Sequence, residues 1–374
     1  MSAEFQTPLD LPPIARDNGF RLPDHWVWDG SLIEHPAGPA EQRWHLFASR
    51  WPKRLPMHPG WLLESEIVRA TAPSPTGPFT FQEVVLPRRD KAYFDGRMTH
   101  NPSIRKVVHP QHGEVYLLFY IGVTYGVEPP QHADDYPRED VQQTDPWLRE
   151  VWLKKRIGLA TAPSLLGPWT RRDQPILHPR PGYWDDGTTS NPSPLIRSDG
   201  SILLAYKSSN SLPDPQRRTT LRPFQIGLAH ATAYDQPFTR LSNQPVLPPR
   251  DASPGGSVED PFLFKIGDTF HLFVKDLSGQ DSGKKCHGLH ATTQTPSDAA
   301  SWRWADSIDA YSLDVTWQEP DGTRTPETLA HIERPQLVFD AAGKPTHFTA
   351  SCARGQGDLQ QLTDTWISVF PLPG

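Results

Sequence analysis

The chain has 374 residues, a formal net charge of −6 and a sequence pI near 6.2. This acidic balance argues against a nucleic-acid-binding protein, which would present a basic surface, and no apolar run in the sequence approaches membrane-spanning length. The hydrophobic content is only 36%, with 42 Pro, 26 Gly and 13 Trp, a composition typical of short strands joined by many turns and packed through aromatic rings.

Two further features bear on the compartment. The N-terminal stretch MSAEFQTPLDLPP has neither a basic n-region nor an apolar h-region, so we expect a cytoplasmic protein, or a periplasmic one if an export signal has been removed. Cys286 and Cys352 are too few for a disulfide framework. We expect them to be buried free thiols, with a single bridge as the alternative.

Along the chain, the same order of elements recurs five times. A short polar motif opens an apolar strand in WDGSLI at 28, HNPSI at 100, SNPSPLI at 190, VEDPFLF at 258 and IERPQLV at 332. Each is followed by a strand of strong β-formers, predicted over 44–51, 115–123, 201–209, 269–277 and 346–353. The spacing of about 70 to 90 residues between motifs indicates one structural repeat rather than separate domains.

A third and a fourth strand follow in most repeats. Near residues 67, 157 and 226 the sequence reads EIVRATAPSPTGPFT, RIGLATAPSLLGPWT and QIGLAHATAYDQPFT, and a degenerate copy spans 287–307. A four-stranded unit that recurs in this way is typical of a propeller blade. The sequence therefore predicts an all-β, five-bladed β-propeller with four-stranded blades around a central funnel. We expect this propeller to form a single catalytic domain over 1–374, with an extended arm over 1–24. The last strand, 365–372, is predicted to join the N-terminal segment and close the ring.

The first strand of every propeller blade faces the axis, so the polar motifs are predicted to meet around one pocket. We take as equivalent Asp29, Asn101, Asn191, Glu259 and Glu333, and expect their neighbours His100, Asp260 and Arg334 at the same mouth. Asp95 and Asp185 each lie six residues before an Asn-Pro. They either cap turns or project over the funnel.

Paired carboxylates across a pocket are what glycosidic bond cleavage requires. Glu259 opens an apolar strand, where desolvation would raise its pKa and suit it to the acid role, and the adjacent Asp260 would raise that pKa further. Asp29, between Trp28 and Gly30, suits the base role. Ordinary rim carboxylates are the alternative for each.

Other motif residues are predicted to bind substrate. Arg334 would hold a sugar hydroxyl or a carboxylate, unless it only pairs with Glu333. His100 would donate to a sugar oxygen, and Trp28 and Trp184 would stack on sugar rings, unless they only pack between blades. Lys275–Asp276 and 49–51 are expected to brace the blades. No cysteine pair has metal-ligand spacing, no cofactor is required, and a structural Ca²⁺ on the propeller axis is left open.

The strings HLFASRWP, MTHNPSI, RIGLAT, VEDPF and HIERPQL resemble five-bladed glycoside hydrolases of the family 43 and family 32 type, including relatives of family 117. The resemblance covers about residues 25–372. It implies that Asp29 is the base or nucleophile, that Asp185 tunes the acid and holds a sugar hydroxyl, and that Glu259 is the general acid. Two departures stand out: blade three opens with Asn191 where the family has an acid, and blade four reads Val-Glu-Asp-Pro.

We therefore expect an exo-acting glycoside hydrolase that removes a terminal sugar from a small oligosaccharide of plant or algal type, because blind-ended funnels suit chain ends. One rival is a sugar lyase on the same fold, with His100 as base and Arg334 against a uronate. The other is a non-catalytic sugar-binding propeller. The insertion over 126–152 is predicted to form a wall or lid over the pocket, or a contact in a homo-oligomer.

Overall fold

The protein is described here from a computed structural model that covers residues 5–130, 145–210, 223–247, 257–356 and 359–373. Its regular structure is mainly antiparallel β-sheet built from strands that are consecutive in the chain. A short first strand, β1 (Ile14–Ala15), precedes these sheets. The structure confirms the predicted all-β class.

The first two sheets each have four strands in chain order. Sheet 1 contains β2 (His25–Glu34), β3 (Trp44–Pro52), β4 (Glu66–Ala72) and β5 (Thr80–Leu86). Sheet 2 contains β6 (Met98–His109), β7 (Gly113–Val123), β8 (Arg156–Ala162) and β9 (Thr170–Arg171). The repeated strand predicted near residue 67 is β4, and the one near residue 157 is β8.

The next two sheets repeat the same order. Sheet 3 contains β10 (Ser190–Ile196), β11 (Ile202–Ser208), β12 (Gln225–Ala231) and β13 (Thr239–Arg240). Sheet 4 contains β14 (Val258–Ile266), β15 (Thr269–Asp276), β16 (Gly288–Thr293) and β17 (Arg303–Tyr311). The degenerate repeat over 287–307 thus forms β16 and begins β17.

A small sheet and a three-stranded sheet complete the fold. The small sheet pairs β18 (Asp314–Gln318) with β19 (Arg324–Thr328), and β1 adds to β18 in parallel. Sheet 5 contains β20 (His331–Phe339), β21 (Pro345–Gly355) and β22 (Leu362–Pro371). The five predicted second strands correspond to β3, β7, β11, β15 and β21, so that part of the prediction is confirmed.

Helices are few and lie between the strands. Helix α1 (Met57–Glu64) follows β3, and helix α2 (Pro146–Lys154) precedes β8. The Asp145 side chain accepts a hydrogen bond of 2.9 Å from the Leu148 amide, and Pro146 takes the first helical position, so α2 begins with a favourable cap. Among the described residues, 3₁₀ turns cover Ala40–Gln42, Ala299–Ser301 and Leu359–Gln361. No helix in the described ranges is long and apolar enough to cross a membrane.

The sheets pack face to face around a common axis, as in a β-propeller. Neighbouring first strands contact one another in succession, and β20 returns to contact β2. Hydrophobic clusters fill the spaces between adjacent sheets; in one of them Ile367 and Val369 of sheet 5 pack with Val27 and Leu46 of sheet 1. Since both faces of each sheet are covered, the central strands are apolar on both sides.

The N-terminal segment joins the last sheet to the first. Phe20 forms a bridge with Ile367, and the Asn18 side chain exchanges two hydrogen bonds of 2.7 Å with the Val369 backbone. A side chain at Gly19, whose φ is 78°, would place its Cβ within 1.8 Å of the Ile367 carbonyl oxygen. The predicted association of the N-terminal segment with 365–372 is confirmed.

Candidate functional site

The first strand of each of the five sheets carries a β-bulge at its polar motif. Pairing with the second strand shifts register at each of these points. One residue in each bulge adopts the left-handed conformation, with φ between 51° and 60°: Asp29, Asn101, Asn191, Asp260 and Arg334. Asp and Asn tolerate this conformation better than most residues, and a Gly or Pro follows in every case.

The bulges correct the predicted alignment of the motifs by one residue in two sheets. The equivalents of Asp29 are Asp260 and Arg334, whereas Glu259 and Glu333 are equivalent to Trp28 and His100. The residue before the bulge lines the central cavity in four of the five sheets. The left-handed residues Asp29, Asn101 and Asp260 lie beneath that layer, because a bulge redirects successive side chains.

The central cavity has a volume of about 340 Å³. Four aromatic residues of its lining lie outside the five motifs: Trp51 on β3, Trp61 on α1, Trp152 on α2, and Phe224 before β12. Its charged lining comprises Lys155, Lys207, Glu259, Lys275, Lys285, Glu333 and Arg334, together with three histidines. The cavity therefore combines rings on which a sugar can stack with a dense set of ionisable groups.

Glu259 is held between two buried lysines. Its Oε2 lies 2.6 Å from Lys207 Nζ, and its Oε1 lies 2.6 Å from Lys275 Nζ. Burial alone would raise the pKa of Glu259, but these cations outweigh it and hold that pKa well below its ordinary value. The sequence-based expectation of a raised pKa at Glu259 is wrong, since the lysines could not be placed from the motif alone.

Glu333 forms a second anionic group beside Glu259. Lys275 Nζ lies 2.5 Å from Glu333 Oε1, and His331 Nδ1 lies 2.8 Å from the same oxygen. Burial opposes ionisation of both partners, yet these contacts lower the pKa of Glu333 to about 2. For His331, contacts with Cys286 and Glu333 raise the pKa to about 10 against the effect of burial. At neutral pH the pair of His331 and Glu333, called the dyad below, therefore carries its proton on His331.

Asp29 lies at the floor of the site, behind His100 and Arg334. Its Oδ2 is 2.8 Å from His100 Nε2 and accepts a hydrogen bond of 3.0 Å from the Ser49 hydroxyl. Its Oδ1 is 2.8 Å from Arg334 Nε. Asp29 is 1% exposed, and although burial raises its pKa, the neighbouring charges bring it below its ordinary value. Asp29 is thus ionised, and it holds two residues that do line the cavity.

Asp260 has the opposite electrostatic setting. It accepts a hydrogen bond of 2.7 Å from the Asn191 amide and lies 2.6 Å from Arg334 Nη1. Burial raises its pKa to about 6, with repulsion from Glu259 partly offsetting the attraction of Arg334. The predicted charge coupling between Asp260 and Glu259 is present, but it is Asp260 whose pKa rises.

Asp95 and Asp185 do not lie at the cavity. Both are fully buried in equivalent ion clusters on sheets 2 and 3. Asp185 contacts Arg180, Arg240 and the Tyr206 hydroxyl at 2.9, 2.5 and 2.8 Å, and Asp95 has two arginines and a tyrosine in the same arrangement. The alternative of a local structural role fits both residues, and the geometry gives no support to the catalytic role predicted for Asp185.

The remaining predicted binding residues divide between the cavity and its surroundings. Trp28, His100, Asn191, Glu333 and Arg334 line the cavity. Asn101 and Asp260 line a smaller cleft that also borders Asn191 and Arg334. Trp184 stacks on Tyr206 at 6.1 Å and packs in the hydrophobic interior between sheets instead of facing the cavity.

Sequence reasoning missed the lysines. Lys207 and Lys275 lie directly opposite Ser190 and Glu259 on neighbouring strands, so an aligned hairpin register would have placed them at the cavity. The expectation that Lys275 braces the blades is wrong, because Lys275 lines the cavity and contacts Glu259 and Glu333 there. Trp152, the last residue of the 126–152 insertion, and Lys155, three residues beyond it, line the cavity. This fits the wall among the alternatives predicted for the insertion, of which residues 131–144 lie outside the described residues.

The three carboxylates at the axis do not fit a calcium ion. One oxygen each from Glu259, Asp260 and Glu333 lies within 4.8 Å of the others, and carboxylate oxygens are the ligands that Ca²⁺ prefers. Lys275 Nζ, however, already contacts both glutamates, and Arg334 contacts Asp260. A Ca²⁺ bound to this set would have to displace an ammonium group.

The cysteines match their predicted state. Cys286 and Cys352 are both buried and free. Cys286 borders the cavity next to His331.

Comparison with known proteins identifies the fold. No protein-family profile matches the sequence, and no curated protein matches it. Among solved structures, an RGII complex of BT0996 aligns with a TM-score of 0.64 and 13% identity, over 96% of the present protein and 92% of the other. Zg3597, a family 117 glycoside hydrolase from the marine bacterium Zobellia galactanivorans, aligns with a TM-score of 0.63 and 16% identity, over 97% and 89%.

A third similar structure is an α-L-arabinofuranosidase from Lactobacillus brevis, with a TM-score of 0.54 and 11% identity over 96% of the present protein and 97% of the other. At these identities the similarity establishes a shared fold, and the chemistry of this protein has to be argued from its own cavity.

Proposed function

We propose that the protein is a five-bladed β-propeller glycoside hydrolase that removes a terminal sugar in the central cavity. The observation that carries this proposal is the pairing of an ionised carboxylate, Glu259, with a proton-bearing dyad, His331 and Glu333, in one cavity lined by aromatic rings. The return of β20 to β2 supports the count of five blades. A volume near the lower end of the ~300–1,000 Å³ range of ligand pockets supports action on a chain end.

In this proposal Glu259 attacks the anomeric carbon. The two lysines keep it ionised, and one of its oxygens lies within 4.8 Å of an oxygen of Glu333, the anionic member of the dyad. His331 gives its proton to the glycosidic oxygen as the C–O bond breaks, and Glu259 forms the glycosyl ester. Water then hydrolyses the ester and returns the proton to the dyad.

Asp29 takes a positioning role in this scheme instead of the base role expected from the resemblance. Its carboxylate orients His100 and balances the charge of Arg334. The substrate expected from the sequence, a small oligosaccharide of plant or algal type, is retained as part of the proposal. It agrees with similar structures described as an arabinofuranosidase and an RGII complex.

The test uses a panel of aryl glycosides with wild-type protein and with Glu259→Ala, Glu259→Gln and Asp29→Asn. We expect both Glu259 variants to lose turnover, and added azide to restore release of the aryl group by Glu259→Ala, because azide can attack the anomeric carbon from the vacated space. Asp29→Asn should keep measurable activity. Glu327→Gln serves as the control, since Glu327 pairs with Arg354 away from the cavity.

Two results would contradict the proposal. Turnover that survives Glu259→Ala without azide would remove Glu259 from the mechanism. Sugar binding by the wild-type protein with no turnover of any aryl glycoside would favour the sugar-binding propeller. Thermal unfolding of each variant separates loss of chemistry from loss of the fold.

One observation favours a lyase as the second candidate. A lyase needs a neutral base in the cavity, and burial together with the nearby Lys207 lowers the pKa of Lys155 well below its ordinary value. His100, the base first expected, is engaged at both ring nitrogens, by Asp29 at 2.8 Å and by Ser65 at 2.8 Å. An unsaturated product from uronate-containing oligosaccharides, seen as rising ultraviolet absorbance and lost in Lys155→Met, would favour this reading.

A further inference from the structure

One buried cationic side chain in the cavity has no anionic counterpart in the described part of the protein. Lys155 is 1% exposed and lines the cavity. Its Nζ lies 3.1 Å from the centroid of the Trp152 ring, and this ammonium group forms neither an ion pair nor a hydrogen bond with a described residue. The other buried cations each contact a carboxylate, as Lys207 contacts Glu259 and Lys275 contacts Glu333.

When Lys155 is protonated, the site carries one more positive than negative group among the described residues. The buried cationic groups around the described part of the cavity are Lys155, Lys207, Lys275 and His331, with the partly buried Arg334 beside them, and the anionic groups are Asp29, Glu259, Asp260 and Glu333. A buried charge is costly unless it is paired. A site that keeps such a group in a ligand cavity is therefore complementary to an anion.

Lys155 and Lys207 also share one aromatic wall. Both ammonium groups lie within 6.0 Å of the centroids of Trp152 and of Phe224. Rings of this kind stack on the C–H faces of a sugar. An anionic substituent of a sugar held against this wall would lie beside Lys155, and Lys207 keeps its contact with Glu259.

We propose that the sugar recognised in this cavity carries an oxyanion substituent, the carboxylate of a uronic acid or a sulfate ester, which Lys155 binds against the Trp152–Phe224 wall. This inference rests on the proposed function, because it names the substrate class of the same cavity. The bound anion supplies the missing partner of Lys155, so charge balance is reached only with the ligand in place.

The test measures, by calorimetry, the binding of free sugars to the full-length protein. The probes are D-glucuronate and D-galacturonate, galactose 6-sulfate, and the neutral sugars D-glucose and D-galactose. We expect an acidic sugar to bind about tenfold to a hundredfold more tightly than its neutral parent, which is the range for a hydrogen bond to a charged group. The carboxylate and sulfate arms show which oxyanion is preferred.

Three variants make the result specific to Lys155. Lys155→Met should lower the affinity for each acidic sugar to that of its neutral parent, while Lys155→Arg should retain part of the preference. Lys154→Met is the matched control on the neighbouring helix α2, because Lys154 is 48% exposed and pairs with Glu150. Lys154→Met should bind like the wild type.

The outcomes separate this inference from the proposed function. Equal affinity for acidic and neutral sugars, or an acidic preference that survives Lys155→Met, would overturn the anion site even if neutral aryl glycosides are hydrolysed in a Glu259-dependent way. A Lys155-dependent acidic preference without hydrolysis of any aryl glycoside or uronide would sustain the anion site and refute the hydrolase.

Discussion

Lys275 is the cation on which the stability of the axial carboxylates depends most. Its Nζ lies 2.6 Å from Glu259 Oε1 and 2.5 Å from Glu333 Oε1, and it is 2% exposed. In Lys275→Met these two carboxylates face each other with no cation between them. Removing one partner of a buried ion pair costs about 3–5 kcal/mol.

The lowered pKa of Glu333, to which Lys275 and His331 both contribute against burial, corresponds to a stabilisation of the same size. Its folded-state pKa of about 2 lies below the ordinary 4.5, so the ionised form stabilises the fold above pH 4.5, and that stability is lost as the pH falls through about 2. At about 1.4 kcal/mol per pH unit, the shift corresponds to about 3 kcal/mol. With an unfolding entropy of ~2.1 cal/mol/K per residue, a protein of 374 residues should lose about 4 °C in Tm.

The assay is thermal unfolding of Lys275→Met and wild type at pH 7 and at pH 5. In the variant, burial and mutual repulsion should raise the pKa of the glutamate pair above 4.5, so the folded state takes up a proton as the pH falls. The deficit in Tm should therefore be smaller at pH 5 than at pH 7. Lys284→Met, at an exposed lysine 3.6 Å from Asp309, is the control and should change Tm by less than about 1 °C.

Two outcomes would refute this reasoning. One is a Tm for Lys275→Met equal to that of the wild type at pH 7, and the other is a deficit that does not change between pH 7 and pH 5. The double variant Lys275→Met with Glu259→Gln should recover part of the loss, because it removes one of the two facing charges.

Three further predictions concern the axial carboxylates, the ion cluster of Asp185 and the buried Lys155. A chelator such as EDTA should change neither Tm nor sugar binding, because Lys275 already contacts the axial glutamates; a fall in Tm that added Ca²⁺ reverses would contradict this. Asp185→Asn should lower stability by about 3–5 kcal/mol by leaving Arg180 and Arg240 without their buried carboxylate, while sugar affinity measured by calorimetry stays unchanged; lost affinity in a folded variant would return Asp185 to the site. Lys155→Met should raise Tm at pH 7, because burial, together with Lys207 and Arg334, lowers the folded-state pKa of Lys155 against the opposing effect of Glu259 and Asp260. The wild type gains stability as the pH rises toward 10.5, so the advantage of the variant in unfolding scans should shrink over that range, and an advantage independent of pH would refute it.

The repeat made the fold predictable, whereas side-chain direction did not follow from the sequence. Strand order and the five second strands could be predicted, because apolar periodicity and turn residues are local signals. The bulges could not be predicted. The extra residue in each bulge places Glu259 and Glu333 at the cavity and Asp29 and Asp260 beneath it. A strand of regular pleat would have alternated these residues differently.

The ionisation states and ion pairs of the site residues could not be predicted from the motifs either. The apolar strand that Glu259 opens predicts a proton donor, because burial alone raises the pKa of a carboxyl group. Its actual state depends on Lys207 from the preceding sheet and Lys275 from its own hairpin. Asp185 was misplaced for the related reason that Arg240, 55 residues further along the sequence, contacts it.

The five left-handed residues change how such a sequence should be searched for function. Asp29, Asn101, Asn191 and Asp260 are residue types that the backbone itself selects at φ near +55°, so their recurrence reports a backbone shape that any chemistry can share. The position just before each is free of that constraint and varies from Trp to His, Ser and Glu. In this protein the conspicuous Asp or Asn marks the bulge, and the less regular residue before it lines the cavity in four of the five sheets.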